Sequence, residues 1–363
     1  MSISMQFQSV TKIAVLRANA VGDFIFALPA LEALRQTYPA AEIVLLGLDW
    51  HAAFLKNRPS PIDRVVVIPR SRGVRGNANT EDNPPELADF FAKMVAEKFD
   101  VAIQMHGGGR YSNPFVLRLG AKTTVGLKTP DAVPLDFWVP YIYYQPEILR
   151  YLEVVSLLGA KTTQLEPHLA VTSADLAEAQ SIVSIDEKPL VALHPGATDS
   201  RRWWSVEKFA AVGDAVVDAG AEVVVTGTHS ERELVETAIA SMKTQARGKI
   251  HNLCDRLSLG GLAGLYKLCK VVVSNDSGPL HIAAAVGCAT VGIYWCGNLM
   301  TAGPMTRSRH RPAISWRLHC PVCGVDCTRD SCDHRNSFVD DVSVQEVVES
   351  VLELLGHKST TNE

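Results

Sequence analysis

The chain has 363 residues, 47% of them hydrophobic and 20% charged, with a formal net charge of -4 at pH 7. At about 100–200 residues per domain that length predicts two domains, each long enough to bury a core, and the slightly negative balance offers no basic field to nucleic acid. No apolar run reaches the roughly 18–20 residues that span a bilayer, and the opening Met1-Ser-Ile-Ser-Met-Gln-Phe-Gln8 carries no signal-peptide apolar segment, so a soluble cytoplasmic protein is expected.

In chain order, the first half alternates strand and helix. Apolar runs at 12–16, 42–46, 64–68 and 101–104 read as strands, and helical spacing covers 29–38 and 85–98, a parallel βαβ pattern. Between the first strand and helix stands Arg17-Ala-Asn-Ala-Val-Gly-Asp23, where Gly22 permits a tight turn and Asp23 opens a helical region. Backbone donors there keep a carboxylate ionised, which suits either a proton acceptor for an attacking hydroxyl or a plain helix cap. The stretch 70–85, rich in Arg, Gly, Asn and Pro, reads as a solvated loop. Next, Gln104-Met-His-Gly-Gly-Gly-Arg-Tyr-Ser-Asn-Pro114 follows a strand; Gly108 and its neighbours let backbone approach a ligand that Arg110 or Ser112 could hold, or else the loop is simply flexible. Helical spacing at 147–158 and an aperiodic stretch at 159–173 place the linker, giving domains 1–165 and 166–363.

The second half repeats the rhythm, with strands at 190–194, 222–226, 271–274 and 290–294 and helices at 206–219 and 231–242. Two Rossmann-like units follow, their parallel sheets facing a central cleft that takes the ligand. After the first of these strands, Thr198 and Ser200 offer hydroxyls and Arg201 and Arg202 forked donors, a pattern for clamping a diphosphate or for ordinary solvated or paired arginines; His194 either joins them or packs. Gly227-Thr-His-Ser-Glu231 brings Thr228, His229 and Glu231 toward a ribose hydroxyl, or places Glu231 as a first-turn carboxylate. The most informative stretch is Val271-Val-Val-Ser-Asn-Asp-Ser-Gly-Pro-Leu-His281. A β-branched strand enters a polar turn and then a helix whose first turn tolerates Pro279, so unpaired N–H groups gather where Asp276, Ser277 and His281 project. A phosphorylated small molecule suits that place; an ordinary strand–turn–helix capped by Asp276 or Ser277 is the bland alternative.

Of eight cysteines, Cys254, Cys269, Cys288 and Cys296 are scattered in contexts suited to reduced thiols. Cys320, Cys323, Cys327 and Cys332 cluster in one loop and could close a tetrahedral zinc site, although the paired C-x-x-C spacing is absent; free thiols are the alternative. The chain contains no G-x-G-x-x-G, no G-x-x-x-x-G-K-[ST] and no Asp-x-Asp, so hydride transfer, P-loop chemistry and a carboxylate-held metal on a diphosphate lose their sequence support.

Taken together, Arg17–Asp23 with Leu28-Pro-Ala-Leu31, His194-Pro-Gly-Ala197 with Arg201-Arg202-Trp203, and Asn275–His281 resemble the ADP-heptose:lipopolysaccharide heptosyltransferase family, glycosyltransferase family nine, over nearly the whole chain. The cysteine loop, the following Phe338-Val-Asp-Asp341 and a final helix resemble that family's C-terminal segment. The resemblance implies a GT-B fold of class α/β, with an N-terminal Rossmann-like acceptor domain and a C-terminal nucleotide-sugar donor domain. By position it implies Asp23 as catalytic base and Asp276, Ser277, Gly278 and His281, with Pro279 and Leu280 in the same motif, as donor contacts. Thr198, Ser200, Arg201, Arg202, Thr228 and Glu231 fall on the donor side, and Arg17, Asn19, Gly108 and Arg110 on the acceptor side. Arg201 stands where the family often has Lys, and Trp204 where it often has Pro. The implied reaction is an inverting, metal-independent displacement that needs no cofactor. It moves heptose from ADP-heptose to a lipopolysaccharide inner-core sugar at the inner face of the cytoplasmic membrane. No basic amphipathic helix marks a membrane anchor, and no signature marks an adenine pocket. A GT-B enzyme with another sugar nucleotide and a non-catalytic nucleotide-sugar binding protein are the alternatives.

Overall fold

The central strands of two six-stranded sheets are apolar runs rich in Val, Ile and Leu with almost no exposed surface, and in both sheets every pair of neighbours is parallel. Strands buried on both faces are what helix-covered parallel sheets require. The computed structural model describes residues 9–183, 188–243 and 250–357; the opening Met1–Gln8 lies outside them. The chain divides into two units, Met1–Ala170 and Val171–Glu363.

The first unit contains β1 (Lys12–Leu16), α1 (Val21–Thr37), β2 (Glu42–Gly47), α2 (Asp49–Leu55), β3 (Arg64–Val67) and α3 (Pro84–Ala96). It continues through β4 (Val101–Gln104), α4 (Ser112–Leu117), β5 (Thr123–Lys128), β6 (Phe137–Pro140) and α5 (Glu147–Ser156). Its strand order is β3-β2-β1-β4-β5-β6. The second unit contains α6 (Ser173–Gln180), β7 (Leu190–His194), α7 (Val206–Asp218), β8 (Glu222–Val225), α8 (Arg232–Ala240) and β9 (Ile250–Asn252). Then come α9 (Leu259–Leu268), β10 (Val271–Asn275), α10 (Gly278–Ala285), β11 (Ala289–Trp295), α11 (Cys296–Ala302), β12 (His310–Ser315) and α12 (Val344–Leu355). Its order is β12-β11-β10-β7-β8-β9, the same doubly wound topology.

That order matters for function because in each sheet the strand order reverses once, between β1 and β4 and between β7 and β10, and ligands of open α/β sheets bind outside the carboxyl ends of the strands at such a switch point. Register brings the strand ends level: Leu16 pairs with Gln104, and Ser274 with His194. The loops after these four strands are those that the sequence singled out.

The helix expected at 29–38 begins instead at Val21, and Pro29 lies inside it. The segment that precedes Pro29 is almost wholly buried, from Phe24 through Leu28, and this packing outweighs the lost hydrogen bond of one proline. Caps are local and legible: Asn83 accepts from Glu86 N before α3, Ser343 from Glu346 N before α12, and Gly356 closes α12 with φ of 93°. Each unit has its own core, one around Leu16, Leu46, Phe90 and Phe115, the other around Leu193, Phe209, Val273 and Val351.

Candidate active site

In the first unit, Arg17 leaves β1 beside Met105, the residue after β4, and donates to its carbonyl at 2.8 Å. Its guanidinium, 2% exposed, also meets Asp23 Oδ1 at 3.0 Å and Glu147 Oε2 at 2.8 Å. Glu147 in turn pairs with the buried Arg150 at 2.9 Å. Two arginines and two carboxylates therefore alternate in a chain whose charges cancel. Asp23 sits at the third position of α1, where its Oδ2 accepts from Ala20 N at 3.1 Å. It is thus not the N-cap itself, but it does satisfy one of the helix's unpaired N–H groups. Its side chain is 32% exposed, so a hydroxyl can reach it.

Asn19, Gly108 and Arg110 come together around a pocket of about 350 Å³, with His106, Tyr111 and Tyr141. Asn19 Oδ1 is buried there without a hydrogen bond. His106 Nδ1 accepts from Ala18 N at 3.3 Å, and burial together with the charge of Arg17 pulls its pKa down to about 3, so the ring is neutral. The glycine loop after β4 is fixed rather than loose: Gly108 O accepts from Thr129 N at 2.7 Å, and Gly109, with φ of 97°, leaves no room for a Cβ beside Asn113. Arg110 is largely exposed, with Asp131 at 3.9 Å. Arg17 and Asp23 are not among the residues that line this pocket.

In the second unit the turn after β10 is stitched to the turn after β7. The side chain of Asn275 donates to Pro195 O at 2.7 Å and accepts from Trp204 N at 3.1 Å. Proline at 204 would lack that N–H, and the Trp204 indole also donates to Val342 O at 3.0 Å, so the tryptophan ties this turn to the C-terminal segment. The Asp276 carboxylate, 2% exposed, accepts from Asn298 Nδ2 at 2.6 Å, faces Arg202 Nη1 at 3.2 Å and lies 3.2 Å from His281 Nε2. Burial pushes its pKa up, but His281, Arg202 and Asn298 together outweigh burial and hold it below the usual carboxylate range. Ser277 is the N-cap of α10 without capping through its side chain, and Pro279 sits in the first turn. By helix geometry the N–H groups of Gly278 and Leu280 have no intrahelical acceptor.

The two arginines differ. Arg202 faces Asp276, whereas Arg201 is forked onto its neighbour Asp199, with Nε at 3.0 and 3.1 Å from the two oxygens. Glu231 forms a capping box with Thr228, accepting from its N and Oγ1 at 2.8 Å, and its carboxylate fills the space over Gly196. His194 is buried against Thr226 Oγ1 at 3.1 Å, and its pKa is lowered by that burial. Thr198 is exposed, and Ser200 Oγ donates to Arg335 O at 3.2 Å. The cysteine loop gathers Cys320, Cys323 and Cys332, but the fourth group is His334 rather than Cys327. Cys327 N is held by Leu318 O at 2.9 Å, and its Sγ lies 3.6 Å from Val325 O. Sequence reasoning did not name Glu147, Asn298, Asp199 or His334; Asp199, two residues before Arg201, and His334, two after Cys332, had a local signal.

The family described as glycosyltransferase family 9 (heptosyltransferase) matches residues 88–317, a span that holds the turns after β4, β7 and β10 but not Asp23 or the cysteine loop. The lipopolysaccharide heptosyltransferase 2 of Escherichia coli (strain K12) is 24% identical over 303 residues, 78% of this chain and 82% of the relative. A glycosyltransferase family 9 structure from Veillonella parvula DSM 2008 superposes with a TM-score of 0.78 at 21% identity, covering 98% of this chain and 99% of the other. That of the E. coli ADP-heptose lps heptosyltransferase II gives 0.74 at 19% identity, covering 95% and 98%.

Proposed function

The chain belongs to glycosyltransferase family 9, the heptosyltransferases, and we propose that it moves a heptose from a nucleoside-diphosphate donor, with ADP as the favoured nucleotide, to a lipopolysaccharide inner-core sugar. The observation that carries this reading is the buried, ionised Asp276 held by Arg202, Asn298 and His281 at the head of α10. An aimed carboxylate suits the hydroxyls of a sugar, and the helix N-terminus beside it suits the phosphates that follow. Arg202 serves both, since it offsets the Asp276 charge that would otherwise repel a diphosphate. Arg201, already neutralised by Asp199, holds the turn.

In the reaction we propose, the acceptor hydroxyl oxygen attacks the anomeric carbon of the heptose as the bond from that carbon to the diphosphate oxygen breaks. The hydroxyl proton passes to Asp23, and the bonding electrons leave with the nucleoside diphosphate. Attack opposite the leaving group in a single step inverts the anomeric centre. Arg202 and the N–H groups at the head of α10 receive the developing phosphate charge, so the side chains present account for this chemistry without a metal ion on the diphosphate. Glu147 supports Asp23 by holding the Arg17 guanidinium that both carboxylates contact. The pocket of Asn19, Gly108 and Arg110 takes the acceptor. Among the described residues no helix is long and apolar enough to cross a membrane, and the proposed acceptor is met at the cytoplasmic membrane face.

Asp23→Asn tests the assignment. It removes the proton acceptor and keeps the side-chain volume, so turnover should fall by about 10²–10⁴-fold while ADP affinity is unchanged. One observation favours a second reading, the contact of Asp23 with Ala20 N: an Asp23 that only supports the helix would leave turnover intact in this variant.

A further inference from the structure

Between the end of β12 at Ser315 and the start of α12 at Val344 the chain runs through a long connection without a helix or a named strand. Connections beyond about 12–15 residues are uncommon in compact domains unless something orders them. Apolar burial anchors only its far end, where Phe338, Val339 and Val342 are buried; in the part before them Trp316, Leu318 and Val322 are 69%, 42% and 54% exposed. What the segment does bring together is chemical. One ligand atom each from Cys320, Cys323, Cys332 and His334 lies within 4.8 Å of all the others.

The backbone is shaped for this grouping. Cys320 N donates to Val325 O at 2.8 Å and Gly324 N to Cys320 O at 3.0 Å, with Gly324 in the left-handed region at φ of 73°. Residues His319 and Asp326 pair as an antiparallel bridge, so the first two cysteines sit on the knuckle of a small hairpin. Val322 N lies 3.5 Å from Cys320 Sγ. The other two ligands arrive from the next turn. His334 Nδ1 is buried and makes no hydrogen bond, an arrangement that costs free energy unless another partner takes the nitrogen.

We propose that Cys320, Cys323, Cys332 and His334 bind one zinc ion as a closed tetrahedral site that anchors the C-terminal strap against the turn after β7. Three thiolates and one imidazole are a structural zinc set, and zinc–sulfur bonds of about 2.3 Å imply sulfur–sulfur edges of roughly 3.8 Å, so side-chain adjustments of about 1 Å close the tetrahedron. Binding displaces the three thiol protons to solvent. The strap begins at the residue after His334. Ser200 Oγ donates to Arg335 O at 3.2 Å, Ser337 Oγ to Trp203 O at 2.7 Å, Phe338 N to Arg201 O at 2.8 Å, and Trp204 Nε1 to Val342 O at 3.0 Å. Zinc therefore orders the segment that holds the Asp199–Trp204 turn; this coupling rests on the donor-site reading, whereas the zinc site itself does not.

The test is metal content by mass spectrometry of untagged protein purified under reducing conditions without chelator. One zinc per chain is expected, with Cys323→Ser and His334→Ala falling to trace levels and Cys327→Ser keeping the full complement. Iron in place of zinc, no metal, a Cys320–Cys323 disulfide, or equal loss in Cys327→Ser overturns the proposal. If the variants do not fold, chelator-stripped wild type reloaded with cobalt should give the visible absorption of a tetrahedral thiolate site; its absence counts against the site. ADP affinity of stripped against reloaded protein reads the coupling: a several-fold loss on stripping supports it. Unchanged affinity removes the coupling and leaves the zinc site standing, and no ADP binding in either form contradicts the donor reading instead.

Discussion

Glu147→Gln is the sharpest probe of the first unit because it changes one charge and almost no volume. Glu147 lies between two nearly inaccessible guanidinium groups, Arg17 at 2% and Arg150 at 1% side-chain exposure, and is itself 19% exposed. Removing one partner of a buried ion pair costs about 3–5 kcal/mol. Here the remaining contacts reduce that figure. Arg17 keeps Asp23 and the carbonyls of Asp23 and Met105, and Arg150 keeps those of Ile142, Tyr143 and Gln145. The glutamine amide oxygen can still accept from the Tyr151 hydroxyl. A loss of about 2–3 kcal/mol is expected. At about 2–4 °C per kcal/mol for a unit of this size, Tm falls by roughly 4–12 °C. Urea unfolding at pH 7 measures the free energy directly, with the exposed Lys93–Asp89 pair, 68% and 65% exposed, as the control that should move by no more than about 0.5 kcal/mol. A Glu147→Gln loss as small as that of Lys93→Gln would refute the network. Turnover should respond too: Arg17 loses one of the two carboxylates that fix it beside Asp23, and kcat drops.

Three further outcomes are expected. Arg202→Gln weakens ADP binding by about 10- to 100-fold, the worth of a charge-assisted hydrogen bond, whereas Arg201→Gln, already satisfied by Asp199, changes it by less than about threefold; calorimetric titration decides between them. Burial, with the charge of Arg17, pulls His51 down to about 3 while the unfolded chain keeps about 6.5. The unfolded state therefore binds the extra proton between those values, and stability present above 6.5 is lost as pH falls, by about 2 kcal/mol at pH 5; a flat urea midpoint from pH 7 to pH 5 would contradict this. Gly264→Ala sets a Cβ 2.2 Å from Asp175 O, where backbone must shift, and should cost about 1–3 kcal/mol in the same assay.

What the sequence disclosed was whatever is written locally. The β-branched run Val271–Val273 and Pro279 mark β10 and the first turn of α10 because strand burial and first-turn proline are properties of neighbouring residues. The strands β5, β6, β9 and β12 escaped notice because Thr123, Lys128, Pro140, His251 and Pro312 dilute their apolar pattern; their pairing is decided by the sheet beside them. Among the site residues, the turn after β7 could be located but not the partners of its arginines. That Arg201 folds back on Asp199 while Arg202 reaches Asp276, 74 residues away, follows from a single 3-10 turn at Ser200–Arg202. Glu147 was invisible as a partner for Arg17 because 130 residues separate them. His334 lost its place to Cys327 because spacing alone does not tell which thiol the hairpin turns toward its own carbonyl.

Heptose transfer with Asp23 as the base is tested most directly by one product measurement. The protein is incubated with ADP-heptose and a lipopolysaccharide core lacking its outer heptose, and the acceptor mass and the anomeric configuration of any new linkage are read. One added heptose with inverted configuration, one ADP released per transfer, and loss of product in Asp23→Asn are expected. Retained configuration, or undiminished product from Asp23→Asn, would contradict the assignment.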